Sequence, residues 1–324
     1  MIRPVKKVIL FSEVNSKFGL PFLQELIQEP SISVEALVTS PEGKLCSYYI
    51  GEPDQVDLEK EAKDIGIPVL RPDKLNDSNT VELLKNYNAD YFIIANYQKI
   101  LKEDILSIPK EDILSIPKED TINFHPSPLP RYAGLAPFFW MAKNGEKEGG
   151  VSCIQVVPEI DAGPILAQLP VVMSGTETAL EIRETHFKQS IILLKQVLQK
   201  IKNNDFTSKL QLLSNRTYYS QPKEEDYFVN WEQDIESILR TIRAGYPQGA
   251  FAFNQYNEKI RILSAERTEY PQQIQSIGVF REHNNKILVS TKDGWLHLQM
   301  IINDVLSTST QIDEQEHNEQ VVSI

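Results

Sequence analysis

Cysteine is scarce in this sequence of 324 residues, which contains only Cys46 and Cys153. Two cysteines are too few for a disulfide scaffold, and they cannot form a zinc-ligand cluster. No apolar run approaches the roughly 18 residues of a membrane span, and the run at residues 8–11 is too short for a signal peptide. These absences argue against a disulfide-rich secreted protein and a membrane protein, and they predict a reduced, soluble, cytoplasmic chain.

Positive charge is also in short supply. The sequence has 33 Lys and Arg against 45 Asp and Glu, which gives a formal net charge of −12. Residues 222–324 contain 9 basic and 16 acidic side chains, so this stretch alone carries −7. Proteins that bind polyanions usually have a basic domain or stripe. The charge therefore disfavours nucleic acid as a partner and leaves a local basic patch as the exception.

Two glycine motifs are missing as well. The first predicted strand is followed by Ser-Glu-Val-Asn-Ser at residues 12–16, where a dinucleotide-binding protein has Gly-x-Gly-x-x-Gly. The sequence also lacks the Gly-x-Ser-x-Gly turn that exposes the nucleophile of a serine hydrolase. A dinucleotide site and a nucleophilic serine are both disfavoured.

The N-terminal half shows apolar segments that alternate with amphipathic ones. The segments typical of buried strands are residues 8–11, 34–38, 69–70, 91–95 and 121–125. Helical spacing occurs at residues 18–27, 57–65 and 80–87. Strands that alternate with helices of this length predict an α/β fold with a doubly wound, Rossmann-like, mostly parallel sheet. Ligands of such sheets bind beyond the carboxyl ends of the strands.

The composition changes after residue 205. Residues 206–228 are polar and are predicted to be a linker between a catalytic domain at residues 1–205 and a smaller domain at residues 229–306. The smaller domain shows short strands with turn signals, which predict an OB-like β-barrel. Residues 307–324 form a polar tail.

Three side chains suit chemistry at the end of a strand. Asn123 and His125 are two residues apart on the last predicted parallel strand, so they point to the same face. Asp161 lies in a Gly/Pro loop between two later strands. A carboxamide to stabilise an oxyanion, an imidazole and a carboxylate suit acyl transfer without a covalent intermediate. Spacing alone leaves other interpretations open, since Asp161 could cap a turn and serines near His125 could pair with it.

The same segments resemble a known family. The pattern Asn-x-His-Pro-Ser-x-Leu-Pro begins at Asn123, Tyr-x-Gly begins at Tyr132, and Asp-x-Gly-Pro begins at Asp161. Together they look like the formyltransferases that use 10-formyltetrahydrofolate, and the 36-residue separation of His125 and Asp161 matches that family. Residues 229–231, 242–247, 249–250 and 259–262 are similar to the second domain of methionyl-tRNA formyltransferases.

The resemblance implies roles for particular residues. Asn123 would bind the formyl oxygen, His125 would assist charge and proton movement, and Asp161 would hold His125 and handle the proton of the amine. 10-Formyltetrahydrofolate would be the co-substrate, and no metal is implied. The folate ring would be recognised by Gln98, Lys99, Ile100, Leu101, Val156, Pro158 and Asp161, with Phe124 packed near it.

The formyl acceptor is left open by the sequence. Residues 40–49 contain one lysine, Lys44, where the transfer-RNA members have a basic loop. Residues 12–17 do not reproduce the phosphate loop of the glycinamide ribonucleotide members. We therefore expect a small-molecule primary amine, such as an amino sugar or a biosynthetic intermediate, with initiator methionyl-tRNA as the second choice. A binding module for folate or a nucleotide, without catalysis, is the alternative of another class, and the oligomeric state is not indicated.

One departure from the family is a direct repeat. Residues 102–109, Lys-Glu-Asp-Ile-Leu-Ser-Ile-Pro, recur without change as residues 110–117, where the family has one copy. Two copies are too few for a solenoid. The repeat is expected to lengthen one loop, and the sequence leaves open whether it disturbs the folate pocket.

Overall fold

The computed structural model describes residues 5–50, 52–75, 77–97, 117–270 and 273–303. The chain divides into two compact units, each built from separate stretches. The first unit comprises Met1–Gly134, Gly149–Val171 and Thr185–Tyr218. The second unit comprises Leu135–Glu148, Val172–Glu184 and Tyr219–Ile324.

A seven-stranded sheet forms the first unit. Its strands are β1 (Lys6–Phe11), β2 (Ile32–Val38), β3 (Val69–Leu70), β4 (Tyr91–Ile94), β5 (Asp120–His125), β7 (Glu148–Gln155) and β8 (Ile165–Val172). Their spatial order is β3-β2-β1-β4-β5-β7-β8. The first five of these run parallel, and β7 is antiparallel to β5. The predicted mostly parallel sheet is confirmed.

Three of the described helices begin at an aspartate whose side chain caps the first turn. Helices α1 (Gly19–Gln28), α2 (Leu58–Asp64), α3 (Ser78–Asn86), α4 (Pro137–Asn144), α5 (Ala179–Asn203) and α6 (Ile235–Gly245) are described, as are short 3₁₀ turns at Ser47–Tyr49, Leu213–Asn215 and Glu224–Tyr227. The side chains of Asp57 and Asp77 accept hydrogen bonds from the backbone N–H groups of Lys60 and Thr80. Each bond satisfies one of the free donors of a first helical turn.

The central strands are apolar on both faces because helices cover both. All four residues from Val8 to Phe11 are fully buried. Val8 and Leu10 join the core formed with α1 and the end of α5, whereas Ile9 and Phe11 join a second core that includes Leu84 of α3. A parallel strand buried on both faces needs such a continuous apolar run.

The second unit contains a five-stranded antiparallel sheet. Its strands are β10 (Ala250–Phe253), β11 (Lys259–Thr268), β12 (Phe280–His283), β13 (Lys286–Thr291) and β14 (Gly294–Asn303), in the order β10-β11-β14-β13-β12. Ile235, Ile238 and Ile242 on one face of α6 pack against Ile262 and Leu296 of this sheet. The small, barrel-like β domain predicted from the short strands is confirmed.

Two features lie outside the predicted elements. The two-residue strands β6 (Ala133–Gly134) and β9 (Tyr218–Tyr219) form a separate small sheet. Residues 206–218, predicted to belong to a linker, are part of the first unit, and Phe206 stacks on Tyr91 with ring centroids 5.3 Å apart. The proposed domain boundaries stay a prediction.

Candidate active site

Strand β5 carries two of the three predicted catalytic residues to the carboxyl edge of the parallel strands. Asn123 pairs with Ile94 of β4 on one side and with Ile154 of β7 on the other, so it lies in the interior of the sheet. Asn123 is partly exposed, and His125 is 8% exposed. Both point to the same face of the sheet because side chains alternate along a strand.

Both nitrogens of the His125 ring face acceptor groups. Nε2 lies 3.0 Å from the carbonyl oxygen of Tyr132, and Nδ1 lies 3.7 Å from Oδ2 of Asp161. A carbonyl oxygen accepts but never donates, so Nε2 carries a proton. Nδ1 then faces the carboxylate, either as a lone pair or as a second N–H. The ring is fixed in orientation, with Nδ1 turned toward Asp161.

Asp161 is buried, and a backbone N–H group holds its carboxylate. It is 5% exposed, and its Oδ2 accepts a hydrogen bond of 2.9 Å from the N–H of Gly134. Its φ of +52° lies in the left-handed region, which aspartate tolerates better than most residues. A Cβ on Gly163 would lie 1.7 Å from the carbonyl oxygen of Gln155, so only glycine fits there. The backbone of the Asp161 loop therefore packs closely against Gln155 and leaves no room for a side chain at residue 163.

Two side chains from the predicted linker also reach this loop. The amide Nε2 of Gln211 donates to the carbonyl oxygens of Asp161 and Gly163, at 2.8 and 2.7 Å. Nη2 of Arg216 donates to the carbonyl oxygen of Ile160 at 2.7 Å. Neither residue has a signal in the sequence, because their partners are main-chain atoms that no side-chain motif reveals.

The serines near His125 have other partners. Oγ of Ser127 donates to the carbonyl oxygen of Arg131 at 3.1 Å, and Oγ of Ser152 donates to the carbonyl oxygen of Ser127 at 2.7 Å. The His125 ring instead faces Tyr132 and Asp161. This arrangement gives the Ser–His alternative no geometric support.

The predicted folate residues are only partly brought together. Gln98, Lys99, Ile100 and Leu101 lie outside the described residues, as does the repeat except for its last residue, Pro117. The N–H of Val156 donates to the carbonyl oxygen of Thr121, and Pro158 is exposed on the way to Asp161.

Phe124 lies apart from Asn123 and His125. Its ring is 2% exposed and packs edge-on against Phe22 of α1, with centroids 4.8 Å apart. It therefore points to the opposite face of the sheet from Asn123 and His125. Its contact with folate stays a prediction that this placement does not favour.

A buried polar cluster occupies the neighbouring strand ends. Oγ of Ser40 donates to the Glu13 carboxylate at 2.6 Å, and the Asn96 amide donates to Ser16 Oγ at 2.9 Å. Glu13 is 4% exposed. Burial raises the pKa of the nearby Cys46 thiol to about 11, and the charge of Glu13 acts in the same direction. The sequence signal for this cluster is the run of polar residues directly after β1.

The described residues include no group of three or more His, Cys, Asp or Glu side chains placed to bind a metal ion. None of the described helices combines the length and the apolar composition needed to cross a membrane. The cytoplasmic location expected from the sequence stays a prediction.

The fold and the side chains at its carboxyl edge are those of an α/β transferase. The chain belongs to the formyl transferase family: residues 6–198 match the formyl transferase domain, and residues 222–304 match the formyl transferase C-terminal domain. The family confirms the resemblance found in the sequence. It also confirms that the protein is a formyltransferase, so the non-catalytic binding module is set aside.

Relatives differ in the acceptor that their names state. The chain is 31% identical over 288 residues to a methionyl-tRNA formyltransferase of Thermodesulfovibrio yellowstonii, and the matched region covers 88% of each protein. It is 18% identical to an N-formyltransferase from Helicobacter canadensis in complex with folinic acid and dTDP-3-aminofucose, with a TM-score of 0.64 and coverage of 91% of this chain and 98% of the other. A sugar N-formyltransferase from Shewanella sp. gives a TM-score of 0.60 at 19% identity, with coverage of 82% and 100%.

Proposed function

We propose that the enzyme moves a formyl group from 10-formyltetrahydrofolate to the primary amine of a small molecule, with an amino sugar as the leading class. The observation that carries the proposal is the buried His125–Asp161 pair beside the partly exposed Asn123. This donor set fits a formyl group, because it offers one neutral donor for the carbonyl oxygen and one fixed route for a proton.

Asn123 stabilises the charge that develops during transfer. Its carboxamide N–H donates to the formyl oxygen as the acceptor nitrogen attacks the formyl carbon. The new bond joins nitrogen to this carbon, and the bond that breaks joins the same carbon to N10 of the folate. A fixed donor of this kind is worth more in the transition state than in the ground state.

Asp161 and His125 take part in the transfer of the proton that the amine loses. The amine loses one proton, which ends on N10 of tetrahydrofolate. While it is ionised, Asp161 supports a positive charge on the His125 ring 3.7 Å away. When it takes up the proton of the amine, directly or through water, it becomes neutral, and it then passes that proton on toward N10. His125 stays oriented throughout because the carbonyl oxygen of Tyr132 accepts from Nε2.

The charges of the C-terminal stretch, residues 222–324, support a small acceptor. This stretch contains nine basic side chains. Within its described residues, ion pairs with acidic neighbours are formed by Lys223, Arg240, Arg243, Lys259 and Arg267. A basic group already paired with a carboxylate contributes little attraction to a phosphate backbone.

Initiator methionyl-tRNA is the second candidate acceptor. The observation in its favour is the 31% identity to a methionyl-tRNA formyltransferase over 88% of both proteins. The solved sugar N-formyltransferases are less similar in sequence and support the fold, so they do not outweigh that relative.

A panel of acceptors tests the proposal. Release of tetrahydrofolate from 10-formyltetrahydrofolate is measured with nucleotide-linked amino sugars and with initiator methionyl-tRNA, each at 50 and 200 mM salt. We expect turnover with an amino sugar that changes less than twofold with salt. A transfer-RNA substrate that makes 6–10 phosphate contacts would lose about 10³–10⁵ in affinity over this range. If methionyl-tRNA binds tightly and its formylation falls steeply with salt, the acceptor is methionyl-tRNA and not a small molecule.

A further inference from the structure

Residues 209–217, here called the strap, run past two segments: the Asp161 loop, and residues 132–134, which hold His125 and Asp161. Most of the strap is exposed, but Gln211 and Arg216 are partly buried. At its start Lys209 pairs with Ile165 through two backbone hydrogen bonds of 2.8 Å, directly after the Asp161 loop. The strap is therefore bonded along the first unit rather than free in solvent.

Gln211 acts on the Asp161 loop through a single nitrogen. Its Nε2 donates to two carbonyl oxygens, those of Asp161 and Gly163, which lie on either side of the tight turn. A carboxamide N–H₂ has two donors and can satisfy both oxygens at once. Because Asp161 has a φ of +52°, its backbone is in a conformation that needs external support.

Arg216 holds the other side of the same loop. Nη2 donates to the carbonyl oxygen of Ile160 at 2.7 Å, and Nη1 lies 3.6 Å from the Glu159 carboxylate. The planar guanidinium fixes two neighbouring points at once, which a more flexible ammonium does less well. Three successive residues of the loop, 159–161, are thus bonded to the strap.

Thr217 bonds the segment that carries the partner of His125. Its Oγ1 accepts from the N–H of Tyr132 at 2.8 Å, and its carbonyl oxygen accepts from the N–H of Ala133 at 2.9 Å. The carbonyl oxygen of Tyr132 is the acceptor for Nε2 of His125, and the N–H of Gly134 donates to Asp161. The strap therefore braces the supports of both residues from one stretch of chain.

We propose that Gln211 and Arg216 are positioning residues, which set the distance between Asp161 and His125 without touching the substrate. The inference rests on the proposed role of that pair in catalysis. A displacement of about 1 Å in a reacting group can cost on the order of 10²-fold in rate. Loss of either brace should therefore lower kcat while the rest of the fold is kept.

Hydrogen exchange tests the physical part of the inference. In Gln211→Met the two donor bonds are lost at nearly constant volume, and exchange of the backbone amides of residues 156–164 should rise several-fold. Gln199→Met, on the exposed side of α5, is the matched control and should leave those amides unchanged. Gln211→Lys restores a donor and should bring protection back. Unchanged exchange in Gln211→Met would overturn the inference.

A double-mutant cycle tests the catalytic part, with 10-formyltetrahydrofolate as donor and hydroxylamine as probe amine. Gln211→Met and Arg216→Lys should each lower kcat about tenfold or more in the wild type. In the Asp161→Asn background each substitution should lower kcat less than twofold. A residue that acts by positioning the Asp161 carboxylate has no effect once that carboxylate is gone. Equal losses in both backgrounds would show a general structural effect and overturn the inference. If Asp161→Asn itself leaves kcat unchanged, the proposed function fails instead.

Discussion

Nδ1 of His125 lies 3.7 Å from Oδ2 of Asp161, although β6, α4 and β7 lie between the two residues in the chain. The distance is longer than a hydrogen bond, so the carboxylate acts on the ring by charge in this arrangement. Each residue is held by a backbone group of the 132–134 segment: the Tyr132 carbonyl holds His125, and the Gly134 N–H holds Asp161. One short segment thereby sets the geometry of both.

Asp161→Asn should lower kcat by about 10²–10⁴, the range expected for loss of a proton-transferring group. Asparagine also tolerates a left-handed backbone, and its side-chain oxygen can still accept from the N–H of Gly134, so the fold should be preserved. The measurement is kcat together with the melting temperature. Asp64→Asn, on an exposed turn of α2, is the control and should change neither. A variant with full activity would remove Asp161 from the proposed mechanism.

Asn123→Ala should lower kcat by about 10²–10³, as expected for loss of one oxyanion donor. The dissociation constant for tetrahydrofolate should change less than about twofold, because the lost contact is to the group in transfer. Asn79→Ala, on an exposed position of α3, serves as the control. A loss of folate affinity as large as the loss in rate would show that Asn123 builds the pocket and does not stabilise the transition state.

Gly163→Ala should destabilise the first unit and abolish most activity. The added Cβ would lie 1.7 Å from the carbonyl oxygen of Gln155, so the Asp161 loop has to move. Overpacking of this kind costs about 1–3 kcal/mol or more, which denaturant unfolding can measure. Gly43→Ala is the control for backbone strain without overpacking: its φ of +70° strains alanine, but nothing lies within 4 Å of the new Cβ. A stability loss no greater than that of the control would mean that the loop adapts freely.

Cys46 should make the protein less stable at alkaline pH. Burial raises its pKa from 9.0 to about 11, so the folded state keeps a proton that the unfolded chain releases first. The contribution is fully present below pH 9 and is lost as the pH rises to about 11, with a slope of up to about 1.4 kcal/mol per pH unit. The free energy of unfolding of Cys46→Ala should fall less steeply over this window and run parallel to the wild type below pH 8. Parallel curves between pH 9 and 11 would contradict the assignment.

The parallel core could be predicted because its strands are buried on both faces. Val8, Ile9, Leu10 and Phe11 form an uninterrupted apolar run, which has no other favourable location than the middle of the sheet. The direction of β7 could not be predicted, since hydrophobic periodicity carries no information on whether a strand runs parallel or antiparallel to its neighbour.

The three predicted catalytic residues could be named from their side-chain types, and their roles stay a prediction, whereas the residues that support them gave no sequence signal. Asn123, His125 and Asp161 offer the functional groups that acyl transfer needs, and their types are visible in the sequence. Gln211 and Arg216 bind to carbonyl oxygens, which every residue possesses, so no partner motif marks them. A polar, exposed stretch of this kind is read from composition as a linker, although its contacts belong to the first unit.

The discontinuity of the first unit has a consequence for synthesis. The chain passes between the two units four times before the strap is complete near Tyr218. A growing chain therefore releases β5, with Asn123 and His125, well before Asp161, and releases Gln211 and Arg216 later still. The first unit is therefore complete only after about two thirds of the chain has been synthesised, because its last stretch ends at Tyr218.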